Sequence, residues 1–249
     1  YAQIMAFRRK LNDFLREEKL GLIISNGRAD LGTYFTSNGG SRDPKDQPAP
    51  PTIAGTAEHY NRIYRLLDKK IPVKIEADIQ NQWYEPNQNN FNIVADIPGA
   101  GKHKDEIVMI GGHFDTWHAG TGATDNGTGS AVMMEVMRII KKLNLKLDRT
   151  VRIALWDAEE EGLLGSRGYV TKHFADRTNM KTLPEWDKMS AYYNVDNGAG
   201  KIRGIYLQGN EMCRPIFENW LAAFKDMGVS TVTSRNTSGT DHQSFDAVG

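Results

Sequence analysis

Residues 106–117 read EIVMIGGHFDTW, a nearly continuous apolar run that gives way to a histidine and an aspartate. Such a run is typical of a strand that is buried on both faces of a sheet. Residues 150–157 (TVRIALWD) repeat the pattern, and residues 189–196 (MSAYYNVD) predict a third strand. An apolar-rich helix is predicted between the first two strands, over residues 129–143. This alternation of strands and helices indicates an α/β domain with a largely parallel sheet.

The hydrophobic pattern also predicts elements on both sides of this region. We expect helices over residues 3–19, 58–69 and 215–227, strands over residues 20–24, 72–79 and 91–97, and a polar loop and a turn over residues 25–51 and 80–90. The α/β domain is therefore expected to begin near residue 90.

The amino-acid composition argues against several classes of protein. Lys and Arg number 31, as do Asp and Glu, so the 249-residue chain lacks the basic excess that nucleic-acid binders show. The single cysteine, Cys213, allows neither an intrachain disulfide nor a four-cysteine zinc site. No apolar run is long enough for a membrane span. The first residues do not form a signal peptide, and because the chain begins with Tyr we expect processing or truncation upstream.

Polar residues follow each of the three buried strands. His113 and Asp115 follow the first strand, Glu159 and Glu160 follow the second, and Asp196 follows the third. The carboxyl ends of parallel strands meet at one edge of a sheet, so we expect these side chains to converge. Imidazole and carboxylate together favour Zn²⁺, Co²⁺ or Mn²⁺, whereas calcium prefers sites made of oxygen ligands alone.

Each of these residues also has a simpler interpretation. His113 could be a hydrogen-bonded core histidine, and Asp125 could cap the following helix. The acidic residues 159–161 could form the first turn of a helix, and residues 196–198 could be a turn. Their joint occurrence at three successive strand ends favours a metal site. The sequence contains no phosphate loop, dinucleotide fingerprint or nucleophile elbow.

Four segments resemble the co-catalytic zinc exopeptidase family, which includes leucyl aminopeptidases, glutamate carboxypeptidase and glutaminyl cyclase. They are GGHFDTW, TGATDNGTGSAV, ALWDAEEEGLLGSRGY and NVDNGAG. The resemblance covers about residues 50–249 and is greatest to the carboxypeptidase Q (plasma glutamate carboxypeptidase) branch. It implies a three-layer fold with a mixed, largely parallel central sheet flanked by helices.

The resemblance also implies a role for each matching residue. Two zinc ions would be held by His113 and Asp196 on one side, by Glu160 on the other, and by Asp125 between them. Asp115 would orient the imidazole of His113, and Glu159 would be the general base. Three carboxylates would balance three of the four zinc charges, and the remaining charge would lower the pKa of bound water.

The function that this resemblance implies is a zinc-dependent exopeptidase, of the aminopeptidase or dipeptidase kind, with a peptide substrate. Two alternatives stay open: a noncatalytic peptidase-like binding domain, and a glutaminyl-cyclase-like acyltransferase. The resemblance further implies a secreted or periplasmic protein and leaves a homodimer open.

The chain departs from the family pattern in one respect. The family takes its fifth ligand, a histidine, from a loop downstream of the segment that resembles residues 238–245, whereas this chain ends at Gly249. Either His242 takes the place of that ligand, or the ligand lies beyond Gly249. We expect the second, with His242 supporting the site or contacting substrate. Residues 1–88 are expected to be the C-terminal part of a mostly β protease-associated insert, and residues 89–249 a catalytic domain truncated at its C-terminal end.

Overall fold

A computed structural model describes residues 2–35, 45–82, 89–196 and 199–249. The chain divides into two compact units, Tyr1–Gln88 and Asn89–Gly249.

The first unit consists of two helices and one pair of strands: α1 (Ala2–Glu17), β1 (Ile23–Asn26), β2 (Thr52–Gly55) and α2 (Ala57–Asp68). The two strands are parallel, with Ile23 opposite Thr52. Thr56 begins α2, because its side-chain oxygen accepts a hydrogen bond from the backbone N–H of His59 at 3.4 Å. The described part of this unit holds more helix than strand, whereas the expectation was of a mostly β segment. Its assignment to a protease-associated insert stays a prediction.

The predicted strand over residues 72–79 is wrong. This stretch has no regular secondary structure, and Ile75 and Ile79 are 45% and 41% exposed. Its alternating pattern suits a half-buried strand, but a strand also needs a neighbour to accept its hydrogen bonds. No strand pairs with it among the described residues.

The second unit contains the predicted sheet. Its elements are β3 (Ile93–Ile97), β4 (Ile107–His113), α3 (Gly129–Lys142), β5 (Thr150–Trp156), α4 (Leu164–His173), β6 (Ala175–Asp176), β7 (Lys181–Thr182), β8 (Met189–Asn194), β9 (Gly204–Tyr206), α5 (Arg214–Leu221), β10 (Thr231–Thr233) and α6 (His242–Asp246). The main sheet has the order β3-β5-β4-β8. Strands β5, β4 and β8 are parallel, and β3 is antiparallel to β5. The expected mixed, largely parallel sheet is therefore confirmed.

Both faces of this sheet are covered, which gives the three layers that were expected. On one face, Trp156 and Met109 pack with Tyr169 and Phe174, which lie in or directly after α4. On the other face, Ile110, Ile153 and Leu155 pack against Met133 of α3. Burial on both faces explains why β4 and β5 read as continuous apolar runs.

Glycine at positions 111 and 112 permits close packing where β4 ends. A Cβ on Gly111 would lie 2.7 Å from the Tyr192 hydroxyl oxygen, and a Cβ on Gly112 would lie 2.7 Å from the carbonyl oxygen of Val195. Neither position has room for a side chain, so β4 can approach its neighbours at the end that carries His113.

Two helices differ from the sequence prediction. Helix α4 was not predicted, since it is short and contains Gly165 and Gly168, which lower helix propensity. The helix predicted over residues 215–227 is α5, which continues as a 3-10 helix over Ala222–Met227. No helix of the described residues has the length and apolar character needed to cross a membrane.

Candidate metal centre

His113 is the last residue of β4, and its side chain is 1% exposed. Its Nδ1 lies 3.1 Å from the backbone carbonyl oxygen of Asp115 and 3.4 Å from the Asp115 carboxylate. These acceptors favour the tautomer that carries its proton on Nδ1. In that tautomer, Nε2 is the nitrogen that would bind a cation, once a metal displaces any proton held there.

Two carboxylates meet Nε2 of His113. Asp125 Oδ1 lies 3.1 Å from this nitrogen and Asp196 Oδ1 lies 3.3 Å from it. Ligand atoms bonded to one tetrahedral zinc at 2.0–2.2 Å are separated by about 3.3–3.5 Å. Both distances from Nε2 are close to this separation, and the ligand atoms of the three residues all lie within 4.8 Å of one another, so this group could hold a zinc ion.

Two glutamates complete the cluster from the turn after β5. Glu159 Oε2 is 4.0 Å from His113 Nε2, and Glu160 offers a further carboxylate oxygen within 4.8 Å of both. Glu159 is buried and Glu160 is half-buried. Helix α4 begins only at Leu164, so the acidic residues precede it and do not form its first turn.

Asp115 connects the imidazole to this turn. Its Oδ1 accepts a hydrogen bond from the backbone N–H of Glu159 at 3.0 Å, and its Oδ2 accepts one from Glu160 at 3.2 Å. Burial alone would raise the pKa of Asp115, but His113 and these two N–H groups outweigh burial and lower it. One ionised carboxylate thus fixes the histidine and both glutamates.

The backbone around Asp125 turns sharply before α3 begins. The helical segment Ala123–Thr128 is interrupted at Asp125 and Asn126, whose φ/ψ angles of −111°/96° and −128°/38° are not helical. Asn126 Oδ1, not Asp125, accepts a hydrogen bond from the N–H of Gly129 at 3.1 Å. Asp125 is therefore not the helix cap, and its side chain is 63% exposed beside His113. The sequence interpretation missed this function of Asn126, although the Asp-Asn-Gly motif contains it.

The protein groups alone form an electrostatically unfavourable cluster. Burial raises the pKa of Glu159 to about 8, and the charges of Asp196, Asp241 and Glu160 add to this effect, while His113 opposes it. Burial and then Asp125 raise the pKa of Glu160 to about 7. Burial acts to lower the pKa of His113, but Asp115, Asp196 and Glu159 raise it to about 11. The carboxylates outnumber the imidazole, so this donor set suits a divalent cation.

The site therefore combines a buried histidine, a set of carboxylates and spacing that suits zinc. A model of peptidase family M28 matches residues 92–249, which is more than half of the chain. The chain belongs to peptidase family M28.

Individual M28 relatives support the same assignment. Carboxypeptidase Q of Homo sapiens is 30% identical over 225 residues, which cover 90% of this chain and 45% of that protein. The structure of a peptidase M28 precursor from Shewanella amazonensis SB2B superposes with a TM-score of 0.67 at 26% identity, covering 92% of this chain and 49% of that one. A zinc aminopeptidase from Bacillus subtilis gives a TM-score of 0.50 at 26% identity over 63% of this chain and 37% of its own. The chain spans about half the length of the curated relatives it matches.

The remaining predicted residues of this M28 chain lie at the C-terminal end and after β8. His242 is the first residue of α6, and its Nε2 contacts the carbonyl oxygen of Thr237 at 3.1 Å. Among the described residues, His242 belongs to neither group that could hold a metal ion. Residues 197 and 198, which were expected to form a turn after Asp196, lie outside the described residues.

Asp241, next to His242, was missed by the sequence interpretation. It is fully buried, and its backbone N–H donates to the hydroxyl oxygen of Thr240. Burial raises its pKa to about 7, opposed first by Ser166 and then by His113. Asp241 lies 82 positions after Glu159 in the sequence, so only the fold reveals that its charge acts on Glu159.

Proposed function

We propose that this chain carries most of the active site of a zinc-dependent exopeptidase, which hydrolyses terminal peptide bonds as an aminopeptidase or dipeptidase. The observation that supports this best is the spacing around His113, where carboxylate oxygens of Asp125 and Asp196 lie 3.1 and 3.3 Å from Nε2. Membership of family M28 and similarity to a zinc aminopeptidase favour the same function.

The two candidate ligand groups share His113 and differ in their carboxylates. We assign His113 and Asp196 to one zinc ion, Glu160 to a second, and Asp125 to both. When bound, zinc supplies a Lewis acid for the scissile carbonyl and lowers the pKa of bound water.

Glu159 is assigned as the general base. Its carboxylate is buried beside His113. Because the adjacent Glu160 is assigned as the zinc ligand, the Glu159 carboxylate remains free of the metal and can transfer protons. It takes a proton from the attacking water and passes that proton to the leaving nitrogen. Asp115 keeps it in place, because its carboxylate accepts the backbone N–H of Glu159.

The wider context of the protein is part of the same proposal. We assign residues 89–249 to the catalytic domain and residues 1–88 to the end of a protease-associated insert. We also propose that the protein is secreted or periplasmic and acts on peptides. A homodimer is a further part of this proposal.

The substitution Glu159→Gln in the full-length protein tests the mechanism. It should leave zinc content unchanged and reduce hydrolysis of a peptide's terminal bond by about 10²–10⁴-fold, which is the usual contribution of a general base. Glu161→Gln is the matched control, because Glu161 is in the same turn but in neither ligand group. An active Glu159→Gln variant would refute the base assignment.

Zinc binding, peptide hydrolysis and glutamine cyclisation by the wild-type protein together separate the two alternatives. Zinc binding without hydrolysis by the wild-type protein would indicate a noncatalytic binding domain. Cyclisation of an N-terminal glutamine, without peptide hydrolysis, would indicate an acyltransferase.

A further inference from the structure

Asn126 connects two parts of the site that lie far apart in the sequence. Its side-chain Nδ2 donates to the carbonyl oxygen of Val195 at 2.8 Å, across a separation of 69 residues. Asn126 directly follows Asp125, and Val195 directly precedes Asp196. One hydrogen bond therefore joins the backbones next to two proposed zinc ligands.

The other end of the same amide is also engaged. Asn126 Oδ1 accepts from the N–H of Gly129, the first residue of α3. The side chain is 1% exposed, so water does not compete for these bonds. An amide with both ends engaged has a single orientation, which fixes the loop of Asp125 relative to α3 and to the end of β8.

Two neighbouring glycines keep the space around this amide free of side chains. A Cβ on Gly112 would lie 3.0 Å from Asn126 Nδ2 and 2.7 Å from the Val195 carbonyl oxygen. A Cβ on Gly129 would lie 2.5 Å from that same carbonyl oxygen and would overlap Asn126 Oδ1. Two glycines from different elements thus make room for a single buried contact.

The backbone after β8 is also hydrogen-bonded to β4. The N–H of Val195 donates to the carbonyl oxygen of Gly111 at 3.0 Å. On β4, the carbonyl oxygen of His113 accepts from the Ser130 hydroxyl at 2.8 Å. With these bonds made, the Asn126 amide links the backbone next to Asp125 to the backbone next to Asp196.

We propose that Asn126 is a positioning residue that fixes the separation of Asp125 and Asp196 and thereby raises the affinity of the site for zinc. The proposal rests on the proposed zinc function. Zinc bonds tolerate changes of only about 0.2 Å, so a small shift of either backbone weakens binding. Partners that orient ligands typically contribute about 10–100-fold to metal affinity.

The test compares Asn126→Ser with Thr150→Val in the full-length protein. Serine is too short to reach the Val195 carbonyl, yet it is a favoured helix-capping residue and keeps an acceptor for Gly129. Thr150 makes the same kind of contacts at the opposite edge of the sheet: its hydroxyl donates to the Lys104 carbonyl at 2.9 Å and accepts from the Gly99 N–H at 3.1 Å. Both variants lose buried or half-buried backbone contacts, so both are expected to lower the melting temperature of the zinc-free protein.

Zinc affinity, measured by competition with a chromophoric chelator, separates positioning from stability. Asn126→Ser should bind zinc about 10–100-fold more weakly. Thr150→Val should bind it within about twofold of the wild type, because distant sites act independently. Wild-type affinity in Asn126→Ser, or an equal loss in Thr150→Val, would overturn the proposal. If Asn126→Ser does not fold, Asn126→Thr keeps the hydroxyl acceptor and gives the same comparison. A wild-type protein that binds no zinc would instead refute the proposed function.

Discussion

Carboxylates have opposite surroundings at the two edges of the central sheet, the edge where the parallel strands begin (the amino edge) and the edge where they end (the carboxyl edge). At the edge where β4 begins, Glu106 is surrounded by a histidine, an arginine and a hydroxyl donor. Its carboxylate lies 2.6 Å from Nδ1 of His103 and 2.7 Å from Nε of Arg149, and it accepts the Ser190 hydroxyl at 3.1 Å. Hydrogen bonds from His103 and then Arg149 lower the pKa of Glu106 to about 2.

At the edge where β4 ends, the balance is reversed. Two groups of carboxylates, from Asp125 and Asp196 and from Glu159 and Glu160, share the imidazole of His113. The pKa values of Glu159 and Glu160 rise to about 8 and about 7, with burial as the first cause. The same residue type is stabilised as an anion at one edge and destabilised at the other.

This difference indicates which edge favours binding of a cation. At the amino edge, neighbouring side chains of the same chain stabilise Glu106 as an anion. The carboxyl edge gathers carboxylates around a buried imidazole, and perturbed pKa values of this kind are typical of functional sites. A substitution at one edge should therefore change zinc affinity or stability at that edge and leave the other edge unaffected.

The largest expected effect comes from His113→Ala at the carboxyl edge. It removes the nitrogen donor that both ligand groups share, so zinc affinity should fall by more than the roughly 10–100-fold typical of supporting partners. Isothermal titration with zinc measures this loss. His103→Ala is the control at the amino edge, and equal losses in the two variants would show that the edges do not differ.

Asp115→Asn should have the next largest effect. Asparagine can accept only one of the two N–H groups that Asp115 now accepts, and it carries no charge to favour the His113 ring. Zinc affinity should fall about 10–100-fold. Chelator competition checks this value, and unchanged affinity would contradict the role assigned to Asp115.

The zinc-free protein should become less stable as pH rises. Glu159, Glu160 and His113 have folded pKa values of about 8, 7 and 11, all above their ordinary values. The folded state therefore binds more protons than the unfolded state between about pH 4.5 and 11, and stability falls across that range. Melting temperatures in chelator from pH 5 to 9 should decrease, and added zinc should reduce this decrease. A melting temperature that rises with pH in chelator would contradict the charge assignment.

Glu106→Gln should have the smallest effect and the opposite pH dependence. Because the folded pKa of Glu106 is lowered, its contribution is present above about pH 4.5 and is lost as pH falls towards 2. The pairs are exposed, so the melting temperature at pH 7 should fall only slightly. Calorimetry at pH 7 and pH 3 measures the difference between variant and wild type, which should be smaller at pH 3. Zinc affinity should stay within about twofold, and a larger change would mean that the two edges are coupled.

The parts of this fold that the sequence predicted best are those where a single physical constraint acts. Strands β4 and β5 are buried on both faces, so their apolar runs mark them directly. The stretch 72–79 has an equally regular pattern but no partner strand within the part of the chain that the structure describes. Strand pairing is a long-range property that alternation does not report. Helix α4 escaped prediction because its glycines weaken the local signal, while packing of Tyr169 and Phe174 against Trp156 stabilises it.

The candidate site was predictable to the extent that it follows from strand ends. Parallel strands β4, β5 and β8 end at one edge, so His113, Glu159, Glu160 and Asp196 had to converge. The contacts that position them were not predictable, because they are made between distant segments. Asn126 reaches Val195 across 69 residues, and Asp115 holds backbone groups 44 and 45 residues away.

The zinc content of the full-length protein tests the central claim most directly. After dialysis against zinc and removal of free metal, elemental analysis should find two ions per chain. His113→Ala should lose at least the ion assigned to His113 and Asp196, while His103→Ala should retain both. Fewer than one ion per wild-type chain would contradict the claim that the carboxyl edge of the sheet is a metal centre.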